Sequence, residues 1–187
     1  VKVPANDGAH LESKRGVASM HEASGWLAAR GIDDLECITP DLAGVARGKM
    51  MPAKKFTANT SLALPSALFM HTISGEYPEE SGEFRYSPGD GDLKLVPDLS
   101  TLCRVPWESD PTAQVICDLV DQNGVAVGYT PRNVLKRVMA LYDAKGWKPV
   151  VAPEIEFYLV SKNVDPDYPL VPPIGRSGRQ IQSGQSY

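Results

Sequence analysis

Histidine and cysteine are scarce, three of each in 187 residues, and their placement removes several chemistries at once. Cys37, Cys103 and Cys117 lie far apart, with no Cys-x-x-Cys pair and no zinc-ligand spacing. His10, His21 and His71 are scattered with no Ser or Cys motif around them, so each reads as a surface or core histidine. An odd thiol count without a secretory signal fits a reducing cytoplasm, where such cysteines are buried thiols. Long hydrophobic runs are missing too. The longest apolar stretch, SLALPSALFMHTI, is broken by Pro65 and is too short to cross a bilayer. The opening VKVPANDGAHLESKRG lacks the apolar centre of a signal peptide and reads as a flexible lead-in over residues 1–16. Neither charge sign dominates: the net charge is −4 with both signs mixed, which argues against nucleic acid or a membrane surface as the main partner.

What is present is the composition of a globular protein, 42% hydrophobic and 22% charged, enough for a sizeable core. Ser19-x-x-Glu22 has the form of a capping box, and Met20, Ala23 and Leu27 follow at helical spacing to a stop at Gly31. LECIT (Leu35 to Thr39) reads as a strand, PDLAG as a turn, and VARGKMMP as the second arm of a hairpin, with Arg47 and Lys49 on a solvated face. LPSALFMHTIS reads as a short helix or irregular segment. Ser74 to Asp92 has no periodicity and holds six acidic residues against one basic, the mark of a functional or disordered loop. TAQVICDLV and VAVGY, separated by DQNG, predict a second hairpin. Thr130-Pro131 opens the most regular helix, with Val134, Leu135, Val138, Met139 and Tyr142 on one face and Gly146 as its stop.

These elements predict a sheet-rich α+β unit over 17–130 and the start of a second domain over 131–187. Only 57 residues follow Thr130, too few for a catalytic domain with its own core, so the second domain is expected to be incomplete.

The candidate site lies in VVAPEIEFYLV, Val150 to Val160. It reads as a strand, and alternation places Glu154, Glu156 and Tyr158 on one face and Ile155, Phe157 and Leu159 on the other. Two residues of rise separate the Glu Cα atoms by roughly 6.6 Å. Carboxylates so close repel unless a cation lies between them, and Mg²⁺ or Mn²⁺ would suit their hard oxygens. On alternation alone, an outward-facing pair on a half-exposed strand is the favoured reading; Val150, Val151 and Tyr158, which make both faces look buried, weigh against it. Glycoside hydrolysis normally draws its two acids from separate elements. GDGD at Gly89 to Asp92 reads as a turn rather than a calcium loop. GRSGR, with Arg176 and Arg179, reads as a solvated linker, since no Gly-Lys-Ser/Thr follows.

Four stretches in order, PDLAGVARGKMMP (Pro40 to Pro52), LVPDLSTLCRVPW (Leu95 to Trp107), PRNVLKR (Pro131 to Arg137) and APEIEFYL (Ala152 to Leu159), resemble the N-terminal portion of the glutamine synthetase family. D-x-x-G-x-x-R-G-K and PRNVLKR are most similar to the branch containing γ-glutamylpolyamine synthetases. Ammonia-using members carry D-G-S-S before the L-x-P-D strand; here that region reads SGEYPEESGEFRYS, and Asp92 matches an aspartate that supports the ammonium site. The resemblance implies a β-grasp N-terminal domain followed by an α/β catalytic domain, in a cytoplasmic, ring-shaped homo-oligomer. It implies that Glu154 and Glu156 are metal ligands for Mg²⁺ or Mn²⁺, and that ATP, glutamate and ammonia or an amine are the substrates of a ligase. It also implies that the remaining ligands lie beyond Tyr187 and that these residues alone do not turn over. A non-catalytic member of the family, or a free-standing carboxylate-rich binding module, would carry the same stretches.

Overall fold

The computed structural model describes residues 15–58, 62–77, 91–165 and 167–180. Contacts divide the chain into two compact units, residues 1–147 and 148–187.

The first unit opens with helix α1 (Met20–Ala28). Ser19 Oγ accepts the Glu22 N–H at 3.2 Å. Glu22 reaches back to the N–H of Ala18 at 3.0 Å, one residue before the position a capping box predicts. Past the end of the helix, Gly31 takes φ 59°, its N–H meets the Ala28 carbonyl, and the Ile32 N–H meets the Leu27 carbonyl. This is the left-handed stop that a glycine accepts without strain. It tucks Ile32 into the core.

Strands β1 (Asp34–Pro40) and β2 (Ala46–Pro52) form the expected antiparallel hairpin, with Leu35 opposite Met51 and Ile38 opposite Gly48. Short helix α2 (Ala53–Thr57) follows. LPSALFMHTIS divides between a strand and a turn of helix: β3 (Leu62–Pro65) runs into a 3₁₀ turn over Ser66–Met70. β4 (Asp92–Pro97), β5 (Cys103–Arg104) and β6 (Thr112–Val120) complete one mixed sheet in the order β2-β1-β6-β4-β3, with β5 paired to β6. β6 runs parallel to β1, with Cys37 opposite Val115, and antiparallel to β4, with Leu95 opposite Leu119. Leu35 and Cys37 on β1 and Ala113, Val115, Cys117 and Leu119 on β6 are buried in the period of two that a one-sided sheet requires. They pack with Ala23, Trp26 and Leu27 of α1. No helix among the described residues is long and apolar enough to cross a membrane.

The second predicted hairpin is reduced to its turn. Gly124 has φ 82° and the Asp121 carboxylate accepts the N–H groups of Asn123 and Val125, both at 2.8 Å, yet the return arm makes only the bridge Val120–Ala126. The Val127 N–H still meets the Leu119 carbonyl at 3.1 Å, but the Val127 carbonyl is taken by the next helix. Asn133 Nδ2 donates to the carbonyls of Leu119 (2.8 Å) and Val127 (3.0 Å). That helix, α3 (Pro131–Asp143), begins at Thr130, whose hydroxyl donates to the Val127 carbonyl at 3.1 Å instead of capping the helix N–H groups. Gly146 (φ 68°) ends it as expected, and Trp147 folds edge-on to Tyr142. The apolar face is there but largely uncovered, with Val134 38%, Val138 42% and Leu135 59% exposed and only Met139 half-buried.

In the second unit, Val150–Val160 forms no β-ladder, a correction to the expected strand. A strand exists through its neighbours' hydrogen bonds, and this segment has no β-pairing partner among the described residues. Its apolar residues are accordingly open, Ile155 81%, Phe157 73% and Leu159 72% exposed. Beyond it, Ser161 is tied to Val171 and Pro172 by its N–H and hydroxyl, each at 3.0 Å. The expected GRSGR linker is a tight turn: the Gly175 N–H meets the Arg179 carbonyl at 2.9 Å and Ile174 bridges to Gln180.

Candidate functional site

Glu154 and Glu156 are both exposed. Neither carboxylate has a hydrogen-bond or ion-pair partner among the described residues, so their oxygens are uncommitted. Hard divalent ions prefer such donors. Two carboxylates do not by themselves make a cage, and among the described residues no group of three or more His, Cys, Asp or Glu comes together. The pair therefore fits a metal as a partial ligand set.

The residues nearest the start of α3 are organised by charge. Arg132 donates through Nη2 to Asp98 at 2.6 Å and through Nε to Asp118 at 2.9 Å, and Lys136 also pairs with Asp118. The Ser100 side chain holds the Asp98 carboxyl below the usual carboxylate range. Burial opposes that, and the Arg132 hydrogen bond and charge reinforce it. Pro131-Arg132 thus fastens the helix start to β6 and to the loop after β4. The positions are 14 and 34 residues apart in sequence, so nothing local announces the cluster.

Arg47 is not on a freely solvated face, which corrects the reading of RGK. Its Nε donates to Asp41 Oδ2 at 2.8 Å, and Asp41 is fully buried. The other Asp41 oxygen accepts the N–H groups of Ala43 (2.9 Å) and Val45 (2.8 Å). Burial alone would raise the Asp41 carboxyl, but the Arg47 hydrogen bond, the two N–H groups and the Arg47 charge outweigh it and hold the group low. Asp41–Val45 and Asp121–Val125 are the same D-x-x-G-V loop, down to a left-handed Gly at the fourth position and an N–H of the first residue on the carbonyl of the fifth. Thr72–Glu76 repeats it with a threonine hydroxyl in place of the carboxylate. That pattern was present in the sequence as a signal.

Among the clefts lined by described residues of the first unit, two stand near charged or polar side chains. One, of about 860 Å³, lies between Arg15, Arg104, Trp107 and Gln114. The other, of about 490 Å³, is bounded by Ser66, Asp92, Asp121 and Tyr129. Asp92 stands at the start of β4 with its carbonyl taken by the Gln122 side chain. His21 is exposed on α1, and His71 packs edge-on to Tyr77 with ring centroids 4.3 Å apart. His10, and all of GDGD except Gly91 and Asp92, lie outside the described residues, as does most of Ser74 to Asp92.

Residues 128–187 match the family described as glutamine synthetase, catalytic domain. The chain is 32% identical over 178 residues to gamma-glutamylputrescine synthetase PuuA of Escherichia coli K12, covering 92% of this chain and 37% of that protein. It is 30% identical over 156 residues to glutamate–isopropylamine ligase of a Pseudomonas species, covering 82% and 33%. Its fold is similar to a solved structure titled "GmaS/ADP complex-Conformation 1", with a TM-score of 0.51 and 25% identity over 66% of this chain and 26% of that one. The chain thus spans about a third of the length of the curated relatives it matches.

Proposed function

The chain belongs to the glutamine synthetase family, and on that premise we propose that it is part of an ATP-dependent ligase joining the γ-carboxylate of glutamate to an amine or to ammonia. The observation that carries this reading is E-x-E-F-x-L at Glu154–Leu159, inside the stretch matched to the family's catalytic domain. The first unit is read as the family's β-grasp domain. Its support is a sheet whose first and last long strands lie side by side and parallel, with antiparallel partners outside. The second unit is read as the opening of the catalytic domain. A cytoplasmic homo-oligomeric ring belongs to the same proposal.

Glu154 and Glu156 are assigned to hold Mg²⁺ or Mn²⁺. Such an ion, when bound, neutralises charge on the phosphate oxygens of ATP, where phosphoryl transfer is limited by charge and position. The carboxylates' task is to present uncommitted oxygens at a fixed separation. In the proposed reaction a glutamate carboxylate oxygen takes the γ-phosphoryl group of ATP and ADP leaves. An amine nitrogen then attacks the acyl carbon, phosphate departs, and the amine gives up one proton.

An amine is the favoured co-substrate. The two relatives reported above are named as putrescine and isopropylamine enzymes, and the region where D-G-S-S is expected for ammonia reads SGEYPEESGEFRYS. Because the chain spans a third of those relatives, the activity is proposed for a protein that also carries the remainder of the catalytic domain. Glutamate-dependent ADP release with putrescine, isopropylamine and ammonium, measured side by side, tests it. Release with an alkylamine at least about tenfold faster than with ammonium is expected, a difference of about 1.4 kcal/mol in the barrier. Absence of glutamate-dependent turnover with all three would reject the ligase assignment.

A further inference from the structure

A second set of potential ligands lies inside the first unit, remote in sequence from the glutamate pair. Between α1, the hairpin and β4 is a cavity of about 260 Å³ whose lining includes Met20, Cys37, Met51 and Cys117. Four sulfur-bearing side chains on one small cavity are unusual in a chain with only three cysteines and five methionines. Cys37 and Cys117 are 2% and 1% exposed and line the same cavity, with the Cys117 thiol directed to the Val115 carbonyl at 4.0 Å. The strand register explains how they meet. β1 and β6 are parallel with Cys37 opposite Val115, so Cys117 is one pair further along on the same face. Leu35 and Met51 are paired across the hairpin, which brings the Met51 thioether to that face as well.

The same register argues against a disulfide. A strand spacing of about 4.8 Å combined with two residues of rise separates the Cα atoms by roughly 8 Å, beyond the span of an unstrained S–S bridge. A bridging ion relaxes that limit, because each metal–thiolate bond adds about 2.3 Å, as in zinc sites. Zinc itself is poorly served: no third His, Cys, Asp or Glu joins the pair among the described residues. Thiolates supplemented by thioethers select soft d¹⁰ ions, of which Cu(I) accepts low coordination.

We propose that Cys37 and Cys117, with Met51 and Met20 beside them, form a binding site for a thiophilic monovalent ion, Cu(I). Binding breaks two S–H bonds and forms two Cu–S bonds. Both protons leave to solvent and no electron is transferred. The bound unit carries one negative charge. Entry is from the rim at Val96, which is 45% exposed.

The test is anaerobic titration of the reduced full chain against Cu(I) held by bathocuproine disulfonate, with thiol alkylation mapped by mass spectrometry in parallel. One copper is taken per chain, with a near-ultraviolet sulfur-to-copper band, and copper protects Cys37 and Cys117 from alkylation but not Cys103. Cys37→Ser and Cys117→Ser each weaken binding by at least about a hundredfold, Met51→Leu by roughly tenfold, and Cys103→Ser not at all. The alkylation map uses the unmodified protein, so it stands even where a serine variant fails to fold. Failure of the wild-type chain to take copper from the chelator overturns the proposal, as does copper protection of Cys103 in place of the pair, or wild-type affinity in folded Cys37→Ser.

Discussion

At the scale of single residues, the most exacting position in the first unit is Asp41. A fully buried carboxylate is tolerated only because Arg47 and two backbone N–H groups meet it. Asp41→Asn keeps the shape and removes the charge, and is expected to cost about 2 kcal/mol at neutral pH, the scale of a charge-assisted hydrogen bond. The pH dependence has a definite sign. The folded-state carboxyl is held below its ordinary value near 3.9, so its stabilisation is fully present above that value and is lost as pH falls through the lower folded-state value. Urea midpoints of wild type and Asp41→Asn will therefore be furthest apart near pH 7 and converge below about pH 4. A gap that stayed constant from pH 7 to pH 3 would mean that the charge on Asp41 contributes nothing. Gly48 is constrained in another way: a Cβ there would lie 2.1 Å from the Cys37 carbonyl oxygen across the hairpin. Gly48→Ala must push β2 off β1, and a loss of about 2 kcal/mol in chemical denaturation is expected.

At the scale of elements, what was legible in the sequence was what depends on near neighbours. Ser19 and Glu22 cap α1, Gly31 stops it, and DLAG turns the first hairpin, because each acts within about five residues. The same local logic overstated the second hairpin, where the return arm stops after one bridge and its Val127 carbonyl goes to the side chain of Asn133, well beyond DQNG. It also missed the Arg132 cluster, whose partners come together only after β4 and β6 are side by side. That cluster, together with Asn133, attaches α3, since the helix's apolar face is largely uncovered. Arg132→Leu is expected to cost about 2 kcal/mol and to speed amide exchange across residues 131–143 by roughly thirtyfold, with β1 and β6 much less affected. Arg132→Lys recovers only part, because an ammonium lacks the fork that reaches two carboxylates at once. Exchange in α3 that matched wild type in both variants would show that the helix is held by something else.

At the scale of the whole molecule, the contrast between the two units determines how the candidate metal site can be examined. The first unit has a core of its own, built on Leu35, Phe69, Val115 and Leu119. The second presents its apolar residues to solvent, with Phe157 73% and Tyr158 83% exposed, around the glutamates assigned to metal. Residue identity made that pair legible in the sequence; the pairing that would turn Val150–Val160 into a strand depends on neighbours and was not. The two states of the segment predict different costs for one substitution. In the 187-residue chain, Phe157→Ser removes few contacts and should leave the thermal midpoint within about 1 °C, since an exposed side chain contributes little. In a protein carrying the rest of the family's catalytic domain, a strand buried on its apolar face would lose about 3 kcal/mol from the same change, as aromatic truncations in cores do. Glu154→Ala and Glu156→Ala should behave oppositely there, leaving the fold stable while lowering Mn²⁺ affinity and glutamate-dependent ADP release by at least about a hundredfold. Scanning calorimetry and Mn²⁺ titration of these three variants in both proteins separate the two roles. A Phe157→Ser change that cost nothing in the longer protein would remove the rigid strand on which the metal assignment depends, because carboxylates on an unpaired segment cannot hold an ion at a fixed distance from the phosphates.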